Sequence, residues 1–143
     1  MALVYFDSSA LVKLVVDETG SEIADELWNG SDAAFSSRLA YPEVSAALAA
    51  AVRSRYLTPS AMEQAVALWE EMWAQLRPVE LSGQLARSAG ELAGKHNLRG
   101  ADAVHLASAL VLSSDDVVFA AWDRRLREGA IAAGLAVAPA SIG

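Results

Sequence analysis

The sequence contains no cysteine. That one absence excludes disulfides, thiolate-held zinc and a cysteine nucleophile, and it fits a reducing, cytoplasmic setting. Histidine is almost as scarce. His96 and His105 are the only two, too few for a zinc site without thiolates. No apolar run approaches the roughly 20 residues of a membrane-spanning helix. The opening run Leu3-Val4-Tyr5-Phe6 is short, has no basic flank and stops at Asp7, so it does not read as a signal peptide. Basic residues are outnumbered, 11 against 18 acidic, for a formal net charge of −7. A protein that holds nucleic acid by a basic face alone is thereby excluded.

What is present is a chain that can build a core. Its 143 residues are 54% hydrophobic, which predicts one compact domain over 1–143. The 9 glycines and 4 prolines are scattered, with no repeat and no linker-like stretch. Short apolar runs at Leu3–Phe6, Ala33–Ser36, Val79–Leu81 and Val117–Trp122 read as buried strands, with a weaker one at Ala136–Ala138. Their nearly continuous apolarity suits a parallel sheet covered on both faces.

Helical stretches separate them: Ser9–Asp17, Ser21–Trp28, Pro42–Tyr56, a helix opened by Thr58-Pro59, Gln84–His96, Asp102–Leu112 and Arg124–Ala133. Thr58 suits an N-cap and Pro59 the first helical position. Met62, Ala65, Val66, Trp69, Met72, Trp73 and Leu76 form an apolar stripe at helical spacing. With no strand between them, the helices from Pro42 to Leu76 should form a hairpin at one side; the stripe with Trp69, Met72 and Trp73 is by base rate mostly core, and part of it is expected to serve a partner contact there. Alternating strands and helices predict an α/β/α sandwich with a mostly parallel sheet.

Ligands of open α/β sheets bind beyond the carboxyl ends of the strands. Four acids fall there: Asp7 after the first strand, Glu43 in a helix entry after the second, Asp102 at the start of the sixth helix and Asp123 after the fourth strand. Converging, they would repel one another by roughly 4 kcal/mol per pair at about 4 Å and an effective dielectric near 20. Protons or a hard divalent cation such as Mg²⁺ or Mn²⁺ would relieve this, and such a cation suits phosphodiester hydrolysis. The plainer reading of any one Asp after a strand is a helix N-cap, and Asp102 could simply complement a helix dipole. The joint occurrence of the four carries more than any member.

Those residues sit in recognisable words. Val4-Tyr5-Phe6-Asp7-Ser8-Ser9-Ala10-Leu11, Tyr41-Pro42-Glu43-Val44-Ser45-Ala46-Ala47-Leu48, Leu98-Arg99-Gly100-Ala101-Asp102-Ala103-Val104-His105-Leu106-Ala107 and Phe119-Ala120-Ala121-Trp122-Asp123-Arg124-Arg125-Leu126 resemble, in order and spacing, the four motifs of PIN-domain ribonucleases. Within that family the wording is most similar to VapC-type toxins of toxin–antitoxin pairs. The resemblance implies a five-stranded sheet ordered 3-2-1-4-5 and a Mg²⁺- or Mn²⁺-dependent endoribonuclease leaving 5′-phosphate and 3′-hydroxyl ends. It also implies a VapB-like antitoxin that silences the enzyme; separately, a homodimer is expected. Asp7 and Asp102 would be the primary metal ligands, with Glu43 and Asp123 completing the acidic site. The family commonly has Thr or Ser two residues before the last acid, where this chain has Ala121.

Other residues divide between readings. His105, three residues after Asp102, could be a general base, but its apolar surroundings favour a structural role. His96 reads as a partner for a helix C-terminus. Ser8 and Ser9 read as caps, as supports for Asp7 or as phosphate contacts. Arg99, Arg124, Arg125 and Arg127 read either as RNA phosphate contacts or as solvated helix charge. Two other functions remain open: a non-catalytic PIN-fold binding module, and an aspartyl phosphatase using Asp7. The second lacks the expected acid two residues on, since Ser9 stands there.

Overall fold

A computed structural model describes residues 2–112 and 116–142. Strand β1 (Leu3–Phe6) leads into α1 (Ser8–Val15) and α2 (Ser21–Gly30), then β2 (Ala33–Ser37). The helices α3 (Ala40–Arg53) and α4 (Pro59–Gln75) follow, then β3 (Arg77–Val79), α5 (Gly83–His96) and α6 (Gly100–Val111). The chain continues with β4 (Val117–Ala120), α7 (Arg124–Ala132) and β5 (Ala136–Ala138). All strand pairs are parallel and the order is β3-β2-β1-β4-β5. Both the α/β sandwich class and the 3-2-1-4-5 order therefore hold.

Alternation along the strands sorts the core into two layers. Val4, Phe6, Ala34 and Ala120 pack on one face against α1 to α4, around the fully buried Leu11, Leu48 and Trp69. Tyr5, Val117 and Phe119 pack on the other face against α5, α6 and α7, with Leu106 and Leu126 fully buried. The Tyr5 and Phe119 rings stack at 5.4 Å between centroids. Burying each such side chain is worth roughly 1.5–3 kcal/mol, so the faces hold the central strand between two independent cores.

Third-strand pairing differs from the sequence expectation. Leu81 lies outside β3 and is exposed, and the strand starts two residues earlier at Arg77. Register against β2 decides this, with Ser36 opposite Pro78 and Ser37 opposite Val79. Pro78 is tolerated because β3 is an edge strand and needs no donor on its outer side. At the next exit, β4 stops at Ala120, so Ala121 and Trp122 belong to the connection and not to the strand.

The helical hairpin is present, but its aromatic stripe points mostly inward. Trp69 and Met72 are buried core, while Trp73 is only partly covered and Val66 is exposed. The expected partner surface is therefore reduced to Trp73 and its neighbours. Trp69 and Trp73 both pack on Tyr41 of α3, which explains why the stripe turns toward the hairpin partner. Among the described residues no helix is long and apolar enough to cross a membrane.

Candidate active site

The site forms where the central strands end. Backbone ties align the exits: Asp7 N–H donates to Ala120 O at 3.2 Å, and Ser36 Oγ donates to Phe6 O at 2.7 Å. Asp7, Ser8, Ser9, Glu43, Arg99, Asp102, His105, Trp122 and Asp123 line one cleft of about 320 Å³. All four acids singled out in the sequence are thus brought to one place.

Two of them are also helix caps, so the plain and the functional readings coincide. Asp7 caps α1, with Oδ1 accepting from Ala10 N–H at 2.8 Å and from Ser9 Oγ at 2.9 Å. Asp123 caps α7, with Oδ1 accepting from Leu126 N–H at 2.9 Å. Capping fixes the carboxylate plane while spending only part of its acceptor capacity. Asp102 stands in the first turn of α6, and its Oδ2 accepts from Arg99 Nε at 3.0 Å. Glu43 stands in the first turn of α3, and its Oε1 accepts from Ser8 Oγ at 2.6 Å.

His105 belongs to this set more fully than the sequence suggested. Its Nε2 lies 2.7 Å from Glu43 Oε1 and 3.0 Å from Ser8 Oγ, and its Nδ1 lies 2.8 Å from Tyr5 Oη. The imidazole is almost fully buried, so the structural and the functional roles are one role: it holds Glu43. Tyr5 was read only as an apolar strand residue. The available signal was a hydroxyl inside an otherwise apolar strand, since a buried Tyr hydroxyl needs a partner.

Electrostatics separates the acids. Burial pushes the Asp7 carboxyl above its ordinary range, opposed by the nearby His105, the Ala10 N–H and Ser9. Half-burial also raises Glu43, but hydrogen bonds from His105 and Ser8 and the charges of His105 and Arg99 outweigh it and leave Glu43 below its ordinary value. Burial drives the Tyr5 hydroxyl strongly upward, so it stays un-ionised.

The remaining candidates divide cleanly. Arg127 is buried and donates to Ala121 O at 2.9 Å and Pro139 O at 2.6 Å, so it braces the backbone and is not a phosphate contact. Arg99, Arg124 and Arg125 stay exposed near the cleft. His96 packs near Gly129, with Nε2 buried and without a partner among the described residues. Ala121 is buried in the core beside Phe119 and does not line the cleft, so its missing hydroxyl removes nothing from the cleft wall. Trp122 does line it, and was missed as a site residue because it was read as the strand's end. Its indole sits against Gly20, where φ is +94° and an added Cβ would fall 2.9 Å from the indole nitrogen.

The donor set fits a hard divalent cation. All ligating candidates are oxygens, and Glu43 Oε2, Asp102 Oδ1 and Asp123 Oδ2 have no hydrogen-bond donor among the described residues. No three carboxylate or imidazole groups among the described residues stand close enough to form a ready-made cage. A cation would draw the acids inward against their mutual repulsion.

Residues 4–131 match the PIN domain family. The chain belongs to the PIN-domain family. This PIN-domain chain is 60% identical over 142 residues to "Ribonuclease VapC49" of Mycobacterium tuberculosis strain H37Rv, a match that covers 99% of each chain. Its fold is shared with M. tuberculosis VapC20, described as a sarcin-ricin loop cleaving toxin, at a TM-score of 0.67 and 18% identity over 92% of this chain and 95% of that one. It is also shared with VapBC2 of Rickettsia felis, solved bound to a DNA fragment from its promoter. There the TM-score is 0.64 and the identity 10%, over 94% and 96% of the two chains. PIN-domain ribonucleases generally require a divalent metal.

Proposed function

We propose that the chain is a metal-dependent endoribonuclease of the VapC type, the toxin of a toxin–antitoxin pair, acting in the cytoplasm. The observation that carries this is the convergence of Asp7, Glu43, Asp102 and Asp123, from four separate segments, on one cleft of a PIN-domain chain. The 60% identity to a protein named as a ribonuclease over nearly all of both chains supports the reading. Asp7 and Asp102 are the residues to hold the cation, and its all-oxygen set favours Mg²⁺ or Mn²⁺ over zinc. When bound, such a cation supplies charge to the scissile phosphate and lowers the pKa of water.

The chain's own residues do the rest. Glu43, kept ionised by His105 and Ser8, is the acceptor for a proton from attacking water. Asp123 completes the negative wall at the mouth of the cleft and helps to orient that water. Trp122 and the buried core beneath Asp7 keep bulk water from one side.

A VapB-like antitoxin is the partner this site calls for. Four carboxylates in one cleft attract an Arg- or Lys-bearing segment, which would compete with both cation and RNA. The binding-module reading draws on one observation, the lack of a ready-made cage among the described residues. Two measurements decide. Calorimetry with millimolar Mg²⁺ or Mn²⁺ should show binding, and none would favour the module. Asp7→Asn and Asp102→Asn should each stop RNA cleavage in Mg²⁺, and cleavage at the parent rate by either would overturn the assignment.

A further inference from the structure

Beside the acid cleft lies a second, larger hollow of about 560 Å³, lined by Arg99, Asp102, Asp123, Arg124, Arg125 and Glu128. Arg99, Asp102 and Asp123 line both spaces, so the two adjoin across these residues. Three of the chain's 11 basic residues therefore stand on one ledge at the mouth of the site, in a molecule whose net charge is −7. General attraction to a polyanion is absent here, so such a concentration must act locally.

The three are not equivalent. Arg99 is committed to Asp102 through Nε, on an exposed side chain. Arg125 makes only a long contact, Nη1 to Asn97 O at 3.4 Å. Arg124 has no ion pair among the described residues and is exposed. The Arg124 fork is thus free on the ledge and that of Arg125 is held by one long contact only, and their planar geometry suits bidentate contact with phosphate oxygens. Glu128 is the one ledge carboxylate outside the four site acids, and it opposes an anion there.

We infer that this ledge is the binding track for the RNA strand beyond the scissile bond, with Arg124 and Arg125 gripping flanking phosphates. The inference rests on the ribonuclease reading. It assigns Arg124 and Arg125 to substrate length and not to chemistry. RNA is favoured over a basic protein segment because the free groups on the ledge are guanidinium cations, which suit phosphate, and they adjoin the cleft where a phosphodiester would react.

The test uses the full chain, a single-stranded 12-nucleotide RNA containing a cleavage site, and the dinucleotide spanning that site. Binding is read by fluorescence polarisation in the Asp7→Asn background, so that no strand is cut. Arg124→Ala/Arg125→Ala should weaken binding of the 12-mer by about 10- to 100-fold, and should flatten the log K against log salt slope by about 1.4, the value for two lost single-strand contacts. In active protein the same double variant should raise KM for the 12-mer and leave kcat/KM for the dinucleotide unchanged. Glu128→Gln should tighten 12-mer binding. Arg53→Ala, at the far end of α3 from Glu43, should change neither. If the parent cuts the 12-mer and the double variant keeps its affinity and salt slope, the ledge is not the track. If the dinucleotide suffers as much as the 12-mer, the arginines act at the reacting phosphate and the inference also fails. A parent that neither binds nor cuts the 12-mer removes the ribonuclease reading itself and the ledge with it.

Discussion

Glu43 and His105 lie 62 residues apart in the chain, yet Oε1 of one and Nε2 of the other are 2.7 Å apart. Tyr5 completes the arrangement by reaching Nδ1 from the central strand. The ring thus spans the two, with Nε2 facing Glu43 and Nδ1 facing Tyr5. A carboxylate on one helix is thereby oriented through the core from β1. His105→Ala is expected to lower kcat by about 10- to 100-fold with little change in KM, the range seen when the outer partner of a metal-site residue is removed. His105→Gln, which can still donate to Glu43, should recover part of that loss. Single-turnover cleavage separates the variants, and an unchanged kcat in His105→Ala would show that Glu43 needs no such support.

Neutralising Asp7 and neutralising Glu43 should move stability in opposite directions when no metal is added. Burial raises the Asp7 carboxyl, so its contribution to stability is present below the unfolded pKa and is lost as pH rises through the folded one. Asn also caps helices, so Asp7→Asn keeps the cap and should melt above the parent at pH 7. Glu43 is the reverse case. Its folded pKa is depressed, so its contribution is present above the unfolded pKa and is lost as pH falls through the folded one. Glu43→Gln should therefore melt below the parent at pH 7. Both differences should shrink as the buffer is taken down through the carboxylate range near about pH 4. Calorimetric scans across that range check the signs.

Arg127 should behave as a structural residue. Its guanidinium joins the connection before Asp123 to the backbone at Pro139 through two buried hydrogen bonds. Losing a charged donor to two buried carbonyls costs about 3 kcal/mol by the usual range for such bonds. Urea unfolding of Arg127→Ala should register that loss. The folded fraction should retain the parent's RNA affinity, in contrast to the ledge variants.

Chelation should abolish cleavage, and restored Mg²⁺ or Mn²⁺ should return it. The cation also relieves repulsion among the four acids, so its addition should raise Tm as a ligand of the folded state does. Asp102→Asn should blunt that rise. A Tm insensitive to millimolar cation would mean that the cleft is not where metal acts.

Much of this was readable in the sequence because it is carried by local chemistry. Asp7 and Asp123 advertise themselves as caps after apolar runs, and the same positions are strand exits of a parallel sheet. The sheet order was available only through the family resemblance, since no local pattern says that β4 joins β1 on the side away from β2. Three things were obscured. β3 was displaced because edge pairing with β2, not local apolarity, sets its register. How much of the Trp69 stripe is core and how much is left for a partner was not readable, because periodicity does not say which side of a helix has a neighbour. Arg127 looked like Arg124 and Arg125 in sequence, and only the fold shows that it points into the protein.

The pairing of Leu3 with Val117 has a consequence for the order of events in synthesis. Strand β1 is made well before one of its two neighbours, β4, which emerges only after α6. A chain interrupted between α6 and β4 already holds Asp7, Glu43 and Asp102 but has nothing to close that flank of β1 and no Asp123. Such a fragment cannot assemble the cleft. For a protein proposed to cut RNA, the four-acid cleft is complete only once β4 and Asp123 have been made.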